Sequence, residues 1–190
     1  MLTIRSAQWP QDGAALSSLD TEWVTSHIYR PVREEFSFRL IEEAVEPPLR
    51  KRYPFQPADP EERRNWDYTA VAEKDGSPAG FAAAQYLAWN RRVVLHHLYV
   101  APAFRRQGVG SRLLFALDAF ARSVEARHLW LETQNVNHPA IQFYRAAGFE
   151  FCGFDDSLYD AEPSNEEEIA LFFARSVPVS PSPESGRSNA

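Results

Sequence analysis

The chain has 190 residues, 44% hydrophobic and 24% charged, enough for one buried core and too little for two independent ones. A formal net charge of -6 and a pI near 5.4 argue against a partner held by phosphate neutralisation, DNA and RNA above all, and suit a cationic substrate. The one cysteine, Cys152 in FEFCGF, rules out an intrachain disulfide and reads as a small buried hydrophobe, while the absence of an ~18-residue apolar run or of a signal core in MLTIRSAQWP makes the cytoplasm the expected compartment.

In chain order, Leu2 to Arg5 alternates as a short strand. Asp12 to Val24 carries Leu16, Leu19 and Trp23 at helical spacing. Between His27 and Pro60, the residues Phe36, Leu40, Ile41, Ala44 and Val45 are spaced as on a helix. Pro47-Pro48, Pro54, Pro57 and Pro60 then predict an irregular loop over the core. Trp66 to Ala72 reads as a strand, Lys74-Asp75-Gly76-Ser77 as a turn, and Ala79 to Trp89 as a second strand. Asn90-Arg91 turns the chain into a third, Val93 to Val100. A helix from Gly108 follows, with Val109, Leu113, Leu114, Leu117, Phe120, Ala121 and Val124 along one side. The strand His128 to Thr133 makes this a strand-helix-strand unit, the pattern of one parallel crossover. Asn137 to Ala147 is a second helix ending at Gly148, Phe149 to Phe154 a strand, and Leu158-Tyr159 with Glu168 to Ala174 a closing hairpin. From Val177 onward nothing is available for packing, so residues 177–190 are expected to form a disordered tail on a single domain spanning 1–176.

The stretch VLHHLYVAPAFRRQGVG, Val94 to Gly110, is the chemically pointed one. An apolar strand enters a Pro-containing bend and then a helix, gathering free backbone N–H groups and a positive helix end in one concavity, a setting for a diphosphate. Gly108 and Gly110 allow close approach of backbone to phosphate, and Arg105 and Arg106 add charge. Such glycines can equally serve a tight turn alone. The dinucleotide fingerprint fails for want of a third glycine and a ribose-binding acid, and the P-loop for want of Gly-Lys-Ser/Thr. The five histidines never adopt ligand spacing, so no metal is expected.

Arg105-x-x-Gly108-x-Gly110, followed by Asn137-His-Pro-Ala140-Ile-Gln-Phe143-Tyr144 and Gly148-Phe149, resembles the acetyl-CoA-binding core of the GNAT superfamily of N-acetyltransferases over Trp66 to Phe154. The resemblance implies an α+β fold, in three layers, whose mixed and mostly antiparallel sheet contains a central parallel, splayed strand pair flanked by helices. It implies acetyl-CoA as the acyl donor. Leu98, Tyr99 and Val100 would then pair with the pantetheine arm. The amides of Gln107, Gly108, Val109, Gly110 and Ser111 would cradle the pyrophosphate beside Arg105 and Arg106, and Asn137 would hydrogen-bond the pantetheine or simply cap its helix. Tyr144 matches the family's general acid, against a bland role in packing. Glu132 is the first candidate for the base, and His97 or His96 the second, on strand alternation. The family often has an acidic residue where His96 and His97 stand, and a water relay could replace any single base. A backbone N–H of Leu98 or Tyr99 would hold the oxyanion.

Leu131-Glu-Thr-Gln-Asn-Val-Asn137, Asp156-Ser-Leu-Tyr159 and a Glu-rich piece leading to Ala170 are similar to the streptothricin acetyltransferase branch. That resemblance implies a small cationic amine as acceptor, met by Glu34, Glu35, Asp67, Asp155 or Asp156 unless these are plain solvated surface. The alternatives are acetylation of a protein N-terminus or lysine, and a non-catalytic acyl-CoA-binding module. No nucleic acid or membrane partner is implied, and a homodimer is compatible with the family's edge strands.

Overall fold

The computed structural model describes residues 1–53, 55–159 and 168–178. Its strands are β1 (Leu2–Arg5), β2 (Trp23–Glu34), β3 (Ser37–Lys51), β4 (Tyr68–Lys74), β5 (Ser77–Leu87), β6 (Arg92–Val100), β7 (His128–Gln134), β8 (Glu150–Asp155) and β9 (Ala170–Ser176). Its helices are α1 (Gly13–Ser17), α2 (Val109–Ser123) and α3 (His138–Ala146), with a 3-10 turn at Pro102–Phe104. Seven strands form one sheet in the order β1-β4-β5-β6-β7-β9-β8, and β2 with β3 forms a separate hairpin.

Turn chemistry builds the middle of the sheet. Asp75 at φ 52 and Gly76 at φ 82 supply the two positive φ values that a tight β4–β5 hairpin requires. β5 and β6 pair from Leu87↔Arg92 to Gly80↔Val100, again antiparallel. β7 returns parallel to β6, as expected of a strand-helix-strand unit, and its connection is α2. The α2 stripe Val109, Leu113, Leu114, Leu117 and Ala121 is buried against the sheet, each leucine contributing about 1.5–3 kcal/mol. Phe120 stacks on Tyr68 with ring centroids 4.8 Å apart. The opposite face is covered by α1 and the segment after β3, where Leu16 and Phe55 pack on Val71, Phe81 and Ala83. The result is a mixed, mostly antiparallel three-layer α+β fold.

The N-terminal third departs from the sequence reading. The helix expected over Asp12 to Val24 is confined to α1, and Trp23 already opens a strand. Residues 27 to 51 form a long hairpin, not a helix and loop, turning at Glu35 with φ 42. In the first stretch Leu16 and Trp23 are both buried, but in different clusters and from different elements; in the second the helix-like face is not buried. Phe36 sits 97% exposed at the tip, Ile41 and Ala44 are exposed, and Leu40 and Val45 are half-buried. Pro47 and Pro48 are tolerated because the register jumps there, from Thr25↔Leu49 to His27↔Ala44, so the ladder asks neither for an N–H. The loop over the core is real but begins only after β3, with Phe55 and Pro57 buried; Pro54 lies outside the described residues.

At the other end, Leu158-Tyr159 is a bend rather than a strand, and β9 inserts between β7 and β8. Val177, assigned to the tail by its sequence, is 5% exposed and donates its N–H to Arg127 O at 2.9 Å. Cys152 is exposed, not buried, and partial desolvation pushes its thiol pKa up, away from reactivity. Residues 179–190 and most of the Glu-rich piece, Glu166 and Glu167, lie outside the described residues.

Asn135, 2% exposed, ties the hairpin to the sheet. Its side chain donates to Tyr29 O at 2.8 Å and accepts from Ile169 N at 2.8 Å, while its backbone carbonyl accepts from Tyr29 N at 3.0 Å. Asn135→Ala leaves the buried Tyr29 carbonyl without that partner, at about 1–3 kcal/mol, and the half-buried Ile169 N–H at less. The expected loss of about 2–4 °C in Tm per kcal/mol, read by a thermal melt, would be absent if the tie were redundant.

Candidate functional site

The parallel ladder between β6 and β7 runs from Arg92↔His128 to Leu95↔Leu131 and stops there. Beyond it β6 continues on β5 to Val100 and β7 continues on β9 to Gln134, so the two strands part and leave a wedge. His96 is the extra residue at the parting: the β5–β6 register steps from Ala84↔Leu95 to Ala83↔His97. A single bulged residue reverses which face later side chains take. Val93 and Leu95 are buried in the α2 cluster, yet after His96 it is Leu98 and Val100 that pack on that cluster. His97 and Tyr99 turn to the opposite face, with Phe55 and Trp66.

Main-chain direction follows from the same period. Ala101 N–H bonds back to Ala79 O on β5 at 3.0 Å, which turns Tyr99 toward β5 and Leu98 and Val100 into the wedge. Val100 O is taken by Arg105 Nε at 2.9 Å. Leu98 therefore offers both its N–H and its C=O to the wedge, a better placed oxyanion donor than Tyr99.

Where the wedge meets α2, the amides of Arg106, Gln107, Gly108, Val109, Gly110 and Ser111 have no acceptor among the described residues; the first amide of the helix region to find one is Arg112, on Gly108 O at 3.0 Å. These six successive donors at a helix N-terminus suit a diphosphate in charge and in shape. The two glycines divide the labour differently from the expectation that both clear room for phosphate. Gly108, at φ 80, would place a Cβ with nothing within 4 Å, so that surface is open. Gly110 would place one 3.0 Å from Phe143 Cζ, so its missing side chain serves the packing of α3 on α2.

The arginines divide too. Arg106 is exposed, at φ 60, and has no ion pair or hydrogen-bond partner among the described residues. Arg105 does not point its charge outward: its guanidinium donates to Val100 O and to Glu22 O, joining the end of β6 to the start of the β2–β3 hairpin. Gln107 donates to Ala103 O at 2.8 Å and accepts from Lys74, which brings a second cation to the same rim. Asn137 is the N-cap of α3, its Oδ1 accepting from Ala140 N at 3.3 Å.

Three titratable side chains surround the wedge. Tyr144 on α3 is 7% exposed, its hydroxyl has no hydrogen-bond partner among the described residues, and burial together with nearby Tyr99 and Glu132 holds its pKa far above the usual phenol range. Glu132 follows Leu131 on β7, and burial pushes its carboxyl pKa up against the pull of a hydrogen bond from the Tyr159 hydroxyl. His97 is enclosed by Phe55, Trp66 and Tyr99, at centroid distances of 5.3, 5.2 and 5.7 Å. Burial, with a smaller push from His96, brings its pKa down to about 4, so the ring is neutral and can donate Nε2–H to Glu62 at 3.1 Å. His96 is exposed at the bulge.

Tyr159, Glu62 and the carboxylate Glu168 were not singled out as site residues from the sequence. Glu168, with a side chain 4% exposed, pairs with Lys51 at 2.6 Å and accepts from the Tyr53 hydroxyl at 2.8 Å. Tyr159 had one signal, its place in Asp156-Ser-Leu-Tyr159; the others arrive from the loop after β3 and the start of β9, which no spacing connects to the wedge. The carboxylates suggested for the acceptor do not gather there. Asp156 pairs with Arg33, Glu34 with Arg39 at 3.7 Å, Asp155 caps Ser157, Asp67 accepts from Tyr86 N at 2.8 Å, and Glu35 occupies the hairpin tip. Among the described residues no cluster suits a metal, and no helix is long and apolar enough to cross a membrane.

The acetyltransferase (GNAT) family profile matches residues 33–149. A streptothricin acetyltransferase from Streptomyces lavendulae is 40% identical over 181 residues, 92% of this chain and 94% of that protein. The crystal structure of a nourseothricin acetyltransferase superposes with a TM-score of 0.83 at 39% identity, covering 93% of this chain and 99% of the other. The ribosomal-protein-S18-alanine N-acetyltransferase from Escherichia coli shares the fold, at a TM-score of 0.66 and 20% identity over 97% of this chain and 98% of that one. A coenzyme A diphosphate fits the row of free amides and the open face of Gly108.

Arg106→Ala is expected to weaken coenzyme A binding about threefold to fivefold at low salt and hardly at all at high salt, as for an exposed ion pair. Arg105→Ala is expected to lower Tm while leaving that salt dependence in place. Calorimetry at two ionic strengths distinguishes them; a salt-dependent loss confined to Arg105→Ala would reverse the assignment.

Proposed function

The chain belongs to the acetyltransferase (GNAT) family and is an acetyl-CoA-dependent N-acetyltransferase, and from that premise we propose that it acetylates a primary amine of a streptothricin-like cationic antibiotic by direct attack within a ternary complex. The observation that carries the acceptor class is the 40% identity to a streptothricin acetyltransferase across nearly the full length of both chains. The likeness to the ribosomal-protein enzyme is one of fold alone and lends a peptide acceptor no comparable support.

When bound, acetyl-CoA supplies an acetyl group already activated as a thioester. Gln107 to Ser111 hold the diphosphate through their free amides, Arg106 adds charge beside them, and Leu98, with Val100, lines the pantetheine path along the wedge. The Leu98 N–H donates to the carbonyl oxygen as negative charge grows there. Glu132 takes the proton from the acceptor ammonium, which cannot attack until it has lost one. A partly desolvated carboxylate is a stronger base than a solvated one, so the raised pKa of Glu132 serves this step. Tyr144, with a hydroxyl kept protonated by burial and held by no protein partner, donates its proton to the departing sulfur. Neutral His97, braced by Glu62, stands on the same face as Tyr99 and is the second candidate to accept the ammonium proton.

The direct test is an acetyl-CoA turnover screen with free-thiol detection across streptothricin, aminoglycosides, simple amines and peptide N-termini. Turnover highest with streptothricin supports the assignment; turnover confined to peptides refutes it. Tyr144→Phe is expected to lower kcat about 100-fold or more with acetyl-CoA affinity within twofold of wild type, and an equal loss of affinity would assign Tyr144 to packing. The base assignment has its own signature. As pH falls through the raised pKa of Glu132 the carboxylate protonates and kcat/KM drops. Tyr159→Phe removes the hydrogen bond that holds this pKa down, so the acidic limb moves to higher pH, and Glu132→Gln abolishes it. A limb that persists in Glu132→Gln belongs to another group.

A further inference from the structure

Helix α3 meets the β2–β3 hairpin through a polar network that the acetyl-transfer steps above do not use. His138, Gln142 and Arg145 recur at intervals of four and three, one stripe along a helix, and all three meet Tyr29 of β2. Tyr29 and Glu42 are cross-strand partners, so the hairpin presents them together. The Tyr29 hydroxyl donates to Glu42 Oε2 at 2.8 Å and accepts from Gln142 Nε2 at 2.8 Å and from Arg145 at 3.4 Å. The His138 ring stacks on Tyr29 at a centroid distance of 5.6 Å and lies 5.5 Å from His27. Its Nε2 is 3.3 Å from Glu42 Oε1 and 3.0 Å from Gln142 Nε2.

With nine residues, α3 is too short for its own hydrogen bonds to fix its attitude, which packing must supply. Its buried side carries Ile141 and Tyr144, away from the stripe that meets the hairpin. A roll of α3 about its axis therefore swings the Tyr144 hydroxyl. Tyr144 meets Phe143 and Phe149 ring edge to ring face, contacts that tolerate a small roll, whereas the hydrogen bonds to Tyr29 are directional. Resting on the reading of Tyr144 as proton donor, we propose that Tyr29 and Glu42 are positioning residues that set the roll of α3 and so aim the Tyr144 hydroxyl at the departing sulfur. They act through the helix and touch no reacting atom. Misplacing a reacting group by about 1 Å can cost on the order of 100-fold in rate, so a small roll is enough to matter. The hairpin that Arg105 joins to the end of β6 thus also governs the proton donor.

The test is a double-mutant cycle on the full chain, with acetyl-CoA and the best amine from the turnover screen. Tyr29→Phe keeps the ring on His138 and removes the oxygen where Glu42, Gln142 and Arg145 converge. It is expected to lower kcat about tenfold, with acceptor KM and acetyl-CoA affinity within about twofold of wild type. In a Tyr144→Phe background, where no phenol proton is left to aim, the same change is expected to cost less than about twofold more. The Glu42 side chain is 44% exposed, so Glu42→Leu repeats the test without disturbing the core and is expected to match Tyr29→Phe. Glu42→Gln keeps an acceptor oxygen for Tyr29 and is expected to retain wild-type kcat. A tenfold loss that persists in the Tyr144→Phe background overturns the proposal and leaves the network a general scaffold, as does a lower Tm with unchanged kcat. Full kcat in Tyr144→Phe alone sinks the proton-donor reading as well, a result distinguishable from either.

Discussion

The parting of two parallel strands is the constraint on which the site depends. A parallel pair in a sheet interior normally satisfies its peptide groups along its whole length. Here four rungs form, Arg92 to Leu95 on His128 to Leu131, and then the ladder ends. Each strand stays tied to its outer neighbour, β6 to β5 and β7 to β9, so the wedge is held open from both sides instead of collapsing. The bulge at His96 is where β6 turns away. By reversing side-chain parity it keeps Leu98 and Val100 in the core under α2 and turns His97 and Tyr99 toward the opposite face. One inserted residue thus opens the gap, exposes the Leu98 peptide group and places the histidine.

The second consequence is that helix α2 begins at the rim of that gap with its donors unspent. An N-terminus buried without acceptors is costly, so helices usually cap themselves with a side-chain oxygen. α2 has none: its N-cap is Gly108 and no acidic residue occupies its first turn. The donors therefore remain for a ligand. Arg105 shows that the local motif does more than border the row of free amides. By bridging Val100 O and Glu22 O it locks the end of β6 to the β2–β3 hairpin, and Glu22 in turn pairs with Arg50 and Arg52 of the strand β3 side. The rim that carries the amide row and the hairpin are thereby tied together.

How much of this was readable in the residues varies along the chain. From Tyr68 to Ala146 most local signals agreed with the tertiary outcome: a two-residue turn at Asp75-Gly76, one apolar stripe on α2, an Asn cap on α3; the turn expected at Asn90-Arg91 is longer, Ala88 to Arg91, because β5 ends at Leu87 rather than Trp89. The amide row followed from strand, bend and glycine alone. The β2–β3 hairpin could not be read because it packs only part of its surface, so its apolar residues follow neither a period of two nor of 3.6 with any fidelity. Its prolines, which look like breakers, sit at a register jump that is visible only once the partner strand is known. A bulge near Leu98 and Tyr99 was expected, but its place at His96 was not legible for a related reason: a one-residue insertion is located by the neighbouring strand. The contacts of Tyr159 and Glu62 link positions 27 and 35 residues apart in sequence, so only the folded chain brings them to Glu132 and His97.

The electrostatics of the cleft are polarised, and this bears on why a net-acidic chain would handle an anionic donor. At the α2 end, free amides, the exposed Arg106 and Lys74 on Gln107 present positive charge over a short distance. At the vertex end stands Glu132, with Glu62 and buried Glu168 close enough to raise, together with Glu132, the pKa values of Tyr99 and Tyr53. The anionic and cationic substrates of the proposed reaction are thus directed to opposite ends of one wedge. Burial first, and the same carboxylates after it, hold the pKa values of Tyr53 and Tyr99 up, so both phenols stay protonated. A carboxylate lining the vertex repels a misplaced diphosphate as well as attracting an ammonium. Orientation within the cleft then follows from charge before any shape complementarity is required.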